Sequence, residues 1–192
     1  MYGIHGLRVR IKHGCHTHLS DTSRSLDRIS KDFGPIRVDV LGKITESILG
    51  GLVYLYEAHR IMHRDIKPSN ILLRSPSGPA YISDFGIAWS ADDPSSEPAR
   101  EKIMEVGTTS YRPPELMFGN QWYNTSLDMW ATGCVAAQVV SLGSQTLFDS
   151  GDLGSDLALI KSMFSTLGTP NFDSWPVSMK LKPQTDLETD FT

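Results

Sequence analysis

The 192-residue chain has only two cysteines, Cys15 and Cys134, too few for a disulfide framework. It has no apolar run near the roughly 20 residues that span a bilayer, and its first segment lacks the apolar core of a signal peptide. Neither insertion in a membrane nor secretion is expected. It also lacks an excess of positive charge: the formal net charge of -4 gives no electrostatic reason to expect nucleic acid as a partner. The expectation is a soluble, mildly acidic, intracellular protein of the cytoplasm and/or nucleus. No Gly-x-Gly-x-x-Gly occurs before His63, where Gly3, Gly6 and Gly14 are scattered, so that stretch has no glycine-rich phosphate loop. No arginine follows Arg112.

What the chain does have is His63-Arg64-Asp65-Ile66-Lys67-Pro68-Ser69-Asn70, with Asp84-Phe85-Gly86 starting fourteen residues after Asn70. Phosphoryl transfer needs a carboxylate near the acceptor hydroxyl, a cation on the moving phosphate and two oxygen-rich ligands for magnesium. This loop and turn contain all four. Gly107-Thr108, Tyr111-Arg112-Pro113-Pro114-Glu115, Asp128-Met129-Trp130 with Gly133, and Leu167-Gly168-Thr169-Pro170-Asn171 with Trp175-Pro176 follow in order. Together these motifs resemble the protein kinase family over about residues 23–191.

The resemblance implies ATP and magnesium as cofactors and a protein as substrate. It makes Asp65 the group that accepts or orients the substrate hydroxyl proton, and Lys67 the contact to the γ-phosphate. Asn70 and Asp84 become the magnesium ligands. Thr108 is similar to the threonine that hydrogen-bonds the catalytic aspartate in serine/threonine kinases, which implies hydroxyl rather than phenol acceptors. Asp128 is implied to brace the backbone of the catalytic loop; its other reading is a helix N-terminal acid favoured by the macrodipole. Glu115 pairs in the family with a buried arginine from a region this chain does not reach. Loss of such a partner typically costs roughly 3 to 5 kcal/mol, so its carboxylate is expected to stay hydrated or move.

The implied fold is α+β, protein-kinase-like and mostly the helical large lobe, with most of the small β lobe and the final helices missing. Residues 1–22 are expected to be irregular or disordered, and residues 23–192 to form a partial kinase domain. Within it, 63–70 is the catalytic loop and 84–115 the activation segment. Val9-Arg10-Ile11-Lys12 is superficially similar to the phosphate-pairing strand of kinases, but thirteen residues between Lys12 and Leu26 cannot contain the elements that should intervene. His13, Cys15, His16 and His18 are zinc- or copper-type ligands in a spacing of no known site. A solvated tail is the reading adopted, with a misread gene start as the alternative.

Leu41, Ile44, Ile48, Leu52 and Leu55 recur at three- and four-residue steps and predict a long core helix over 38–59. Gly50-Gly51 either weakens it, by about 1 kcal/mol per glycine, or permits close packing. Ser75-Pro76-Ser77-Gly78-Pro79 separates two apolar runs and predicts a hairpin. Residues 90–100, with three acids, two prolines and three serines, have the composition of an exposed mobile segment. Residues 126–142 are apolar almost all round, which predicts a buried helix holding Cys134 as a small hydrophobe. Ile160, Met163, Phe164 and Leu167 predict a last amphipathic helix, closed by Gly168 and Pro170.

Residues 25–29 and 59–70 are similar to mitogen-activated protein kinase kinases. Residues 111–115, Leu147-Phe148 and 167–171 are similar to cyclin-dependent kinases and their activating kinases. A fusion near residues 74–80, natural, engineered or from a gene-model error, is one account of the mixture; mosaic divergence within one kinase is the other. The second likeness implies Ser/Thr-Pro substrates, because the arginine matching Arg112 shapes the pocket for the residue after the acceptor. Cyclin binding is doubtful, since the helix that serves it lies in the missing lobe. Ile103 stands where cyclin-dependent kinases carry their activating threonine, so Arg64 is expected to meet Glu101 or Glu105, or a phosphate on Ser95 or Ser96. Weak or absent turnover is expected of the isolated chain. An inactive kinase-like binding module and an unstable gene fragment stand as alternatives to an active enzyme.

Overall fold

In the computed structural model, which describes residues 23–141, 145–171 and 173, strand β1 (Arg24–Ser25) runs directly into helix α1 (Leu26–Phe33). Leu26, Ile29 and Ser30 form its buried face, and Gly34 ends it at a φ of 80°. Helix α2 (Val38–Val53) buries Ile44, Ile48 and Leu52, as the spacing predicts. The α-helix does not persist to residue 59: a π-helical turn, Tyr54–Ala58, takes over and buries Leu55. That wider turn accompanies the contact of the Tyr56 hydroxyl with Asp128, so the departure sits at a functional position. Of the two glycines, Gly51 permits close packing, its Cβ position lying 3.1 Å from Ile82 Cδ1, whereas Gly50 faces open space.

Strand β2 (Ile61–Met62) leads into the catalytic loop, which closes with a 3-10 turn at Pro68–Asn70. Strands β3 (Ile71–Leu73) and β4 (Ala80–Ile82) then form the expected hairpin, with Leu73 opposite Ala80. β1 adds to its other side, giving an antiparallel order β1-β3-β4 that local sequence did not announce. Strand β5 (Trp89–Ser90) pairs with β2, Met62 opposite Trp89, and so brings the chain after residues 84–86 back beside the loop 63–70.

Helix α3 (Pro114–Met117) follows the activation segment, and helix α4 (Ser126–Val140) is buried along Leu127, Asp128, Ala131, Thr132, Cys134, Val135 and Val139. Helix α5 (Asp156–Leu167) starts at Ser155, whose hydroxyl accepts from Ala158 N. Its buried seam is Leu159 and Met163, packed on Cys134 and Phe148. Leu167, expected on that face, is exposed at the end of the helix. A first core joins α1, α2, β3 and α4, and a second gathers Met62, Val106, Leu116, Tyr123 and Leu127 under the activation segment. Residues 91–100 are largely exposed, as composition predicts, but are tied back by Trp89 Nε1 donating to Glu97 O at 2.9 Å.

No helix among the described residues is long and apolar enough to cross a membrane. The readings of residues 1–22, including Lys12 and the His13, Cys15, His16, His18 group, fall outside the described residues, as do Leu142 and Trp175-Pro176.

Candidate active site

Asp128, in the first turn of α4, is fully buried, and its carboxylate faces the start of the catalytic loop. Oδ2 accepts from His63 N and Oδ1 from Arg64 N, both at 2.8 Å, and Tyr56 Oη donates to Oδ2 at 3.1 Å. Burial pushes the Asp128 pKa up, while His63 and the two backbone N–H groups pull against it. The His63 ring is held neutral by its own burial, its Nε2 lies 2.9 Å from Ser83 O, and it meets Phe85 edge-on at 4.9 Å.

The bracket presents Asp65. Its Oδ1 accepts from Thr108 Oγ1 at 2.9 Å and Thr108 N at 3.1 Å. Its Oδ2 lies 2.8 Å from Lys67 Nζ and accepts from Asn70 Nδ2 at 3.1 Å. Burial alone would raise the Asp65 pKa, but hydrogen bonds from Lys67, Thr108 and Asn70 and the Lys67 charge hold it below the usual carboxylate value. Lys67 Nζ also donates to Thr108 Oγ1 at 2.9 Å, so Asp65, Lys67 and Thr108 close a triangle across 43 residues of chain. A groove of about 330 Å³ opens beside them, lined by Asp27, Lys67, Ser69, Thr108 and Tyr111.

Asn70 O accepts from both Ser83 N, at 2.9 Å, and Ser83 Oγ, at 3.0 Å. This ties the residue before Asp84 to Asn70. Asp84 itself is exposed, adopts a φ of 64°, and accepts from Gly86 N at 3.3 Å. Asn70 engages Asp65 through its amide nitrogen, so its amide oxygen is the end turned to other use. An amide oxygen and an exposed carboxylate are the hard donors magnesium takes, with nucleotide phosphates completing the shell.

Arg64 departs from expectation. Its partner is neither Glu101 nor Glu105 but Glu97: Nη2 lies 2.6 Å from Oε2 and Nη1 donates to Oε1 at 3.1 Å. Composition marked 90–100 as exposed segment and so hid this acid; the tether from Trp89 to Glu97 O is what carries it inward. Arg112 Nε donates to Gly107 O at 3.2 Å, and its Nη1 lies 3.5 Å from Asp156 Oδ1. Glu115 pairs with no cation among the described residues. It accepts from Ser126 Oγ at 3.4 Å, and burial pushes its pKa up.

Comparison with known proteins places this geometry in a class. The model of the protein kinase domain matches residues 18–185, and the chain belongs to the protein kinase family. Its relatives include serine/threonine-protein kinase csk1 of Schizosaccharomyces pombe, 46% identical over 144 residues that cover 73% of this chain and 46% of the relative. The mitogen-activated protein kinase kinase MST7 of Pyricularia oryzae is 50% identical over 57% of this chain and 24% of its own length. Cyclin-dependent kinase 2 of Caenorhabditis elegans is 42% identical over 67% of this chain and 32% of its own. In the crystal structure of the yeast RNA Pol II CTD kinase CTDK-1 complex, one chain superposes with a TM-score of 0.69 at 29% identity. That match covers 85% of this chain and 52% of the other. The described residues have the α+β fold of that family, and the match covers less than half the length of each of these curated relatives.

Proposed function

We propose that the chain carries the phosphoryl-transfer centre of a serine/threonine kinase, which moves the γ-phosphoryl group of ATP to a Ser or Thr hydroxyl followed by proline. The observation that carries the reading is Asp65 held ionised between Lys67, Thr108 and Asn70. Asp65 accepts the hydrogen of the incoming hydroxyl and aims its oxygen. Lys67, already against Asp65, offers its ammonium to the moving phosphate. Asn70 and Asp84 would hold magnesium, which when bound would neutralise charge on the nucleotide phosphates.

The preference for proline follows from Gly107. Its carbonyl is one that an extended substrate could meet with an N–H, but Arg112 Nε already occupies it. An ordinary residue after the acceptor therefore brings an N–H with no partner there, whereas proline brings none. Because the matched stretch covers less than half of each of these curated relatives, turnover by these 192 residues alone is expected to be low.

The test is transfer to matched Ser-Pro and Ser-Ala peptides, with melting measured in Mg-ATP. Asp65→Asn should lower transfer by about 10² to 10⁴. Mg-ATP should raise the melting temperature of the native chain and leave Asp84→Asn unmoved. Arg112→Ala should narrow the Ser-Pro preference by about fivefold, the worth of one hydrogen bond. Transfer that survives Asp65→Asn refutes the assignment; a folded chain blind to Mg-ATP is a binding module instead.

A further inference from the structure

One cluster at the edge of the site takes no part in the transfer chemistry. Arg64, with 3% of its side chain exposed, points into the activation segment and forks onto both oxygens of Glu97. Beside it lies a second cation, Lys102, 5% exposed, its ammonium 5.2 Å from the Trp89 ring centroid and 5.1 Å from that of Tyr123. Lys102 Nζ donates to Ala99 O and forms no ion pair among the described residues. Arg64 Nε is buried without a hydrogen-bond partner there. Two buried cations with aromatic walls form a seat for an anion. The chain's own Glu97 fills it.

We propose that Glu97 is a positioning residue, a built-in counter-ion that docks the activation segment onto the catalytic loop without phosphorylation. Arg64 N is gripped by Asp128 and Arg64 directly precedes Asp65, so whatever holds the Arg64 fork also steadies the reacting carboxylate. Ile103, the residue in place of a phosphorylatable threonine, is half exposed, and its carbonyl is held by Tyr123 Oη at 2.7 Å. The seat is thus occupied from within the segment, six residues before that position. The Arg64 hydrogen bonds hold the Glu97 pKa below its usual value, which keeps the pair charged at neutral pH. The consequence for catalysis rests on the kinase reading; the docking itself does not.

The experiment uses the whole 192-residue chain and no ATP. Tryptic cleavage after Arg100, which is exposed, is timed by mass spectrometry, and melting is followed in parallel, in inorganic phosphate or in chloride of equal ionic strength. Glu97→Ala should be cut about tenfold faster than the native chain. Phosphate should slow that cleavage and raise the melting temperature of the variant, while leaving the native chain unmoved because its seat is full. Glu97→Gln, equal in shape but uncharged, should behave as Glu97→Ala. Equal cleavage of native chain and variants overturns the proposal, as does phosphate that protects the native chain equally or protects nothing. If Glu97→Ala does not fold, Glu97→Gln is read by the same two measures, and loss of its fold unrecovered by phosphate also overturns the anion seat. A variant rescued by phosphate in a chain whose melting is blind to Mg-ATP would defeat the kinase reading and leave this one standing.

Discussion

Arg64 and Asp84 adopt left-handed backbone, with φ of 69° and 64°, a conformation that costs a residue with a Cβ roughly 1–2 kcal/mol. Each is compensated by its neighbours: Arg64 N donates to Asp128, and Ser83, just before Asp84, is doubly bonded to Asn70 O. Gly107, at 74°, differs because the position needs glycine on two counts. A Cβ there would stand 2.7 Å from Arg64 O, a backbone atom that cannot step aside without moving Asp65. Gly107→Ala should therefore lose about 2 kcal/mol or more in urea unfolding, the left-handed backbone alone accounting for roughly 1–2 kcal/mol of it. An unchanged midpoint would mean that the loop relaxes freely, and the stated coupling of Gly107 to Arg64 would be wrong.

At the scale of the element, α2 carries adjacent glycines with opposite roles. Gly50 is exposed with nothing near its Cβ position, so Gly50→Ala should stabilise the chain by about 1 kcal/mol through helix propensity. Gly51 meets the Ile82 side chain of β4 at 3.1 Å, and alanine there makes that side chain give by a few tenths of an ångström. Gly51→Ala should gain less than Gly50→Ala or lose stability outright, and equal gains in urea midpoint would refute the close packing. The same helix ends in the π turn that sets Tyr56 against Asp128. Tyr56→Phe removes one donor from a carboxylate with two others and should cost only about 1 kcal/mol.

For the molecule as a whole, Asp128 is where the separate parts meet. Its carboxylate joins the end of α2, the catalytic loop and α4, across sequence separations of 64 to 72 residues. Asp128→Ala would orphan the His63 and Arg64 N–H groups, at roughly 1–3 kcal/mol each. That is a large share of the roughly 5–15 kcal/mol that usually holds a domain together. The expected result is a melting transition lowered far more than in Tyr56→Phe, or none at all. A loss no larger than that of Tyr56→Phe would mean that the loop is held chiefly by the β2–β5 pairing and not by Asp128.

The grouping of the candidate site was legible in the sequence because its parts are local: Asp65, Lys67 and Asn70 lie within one loop, and Asp84 opens a turn fourteen residues on. The helices were legible for a similar reason, since apolar spacing reports which residues share a face; it located Ile44, Ile48 and Leu52, and Met163. Tertiary structure decided what spacing cannot reach. It chose Glu97 rather than Glu101 or Glu105 for Arg64, added β1 to the hairpin, turned α5 on Leu159 rather than Leu167, and closed Arg112 onto the Gly107 carbonyl. Several residues of suitable charge or polarity compete for each of these partnerships. The winner is set by how distant elements pack, a quantity that no local period contains.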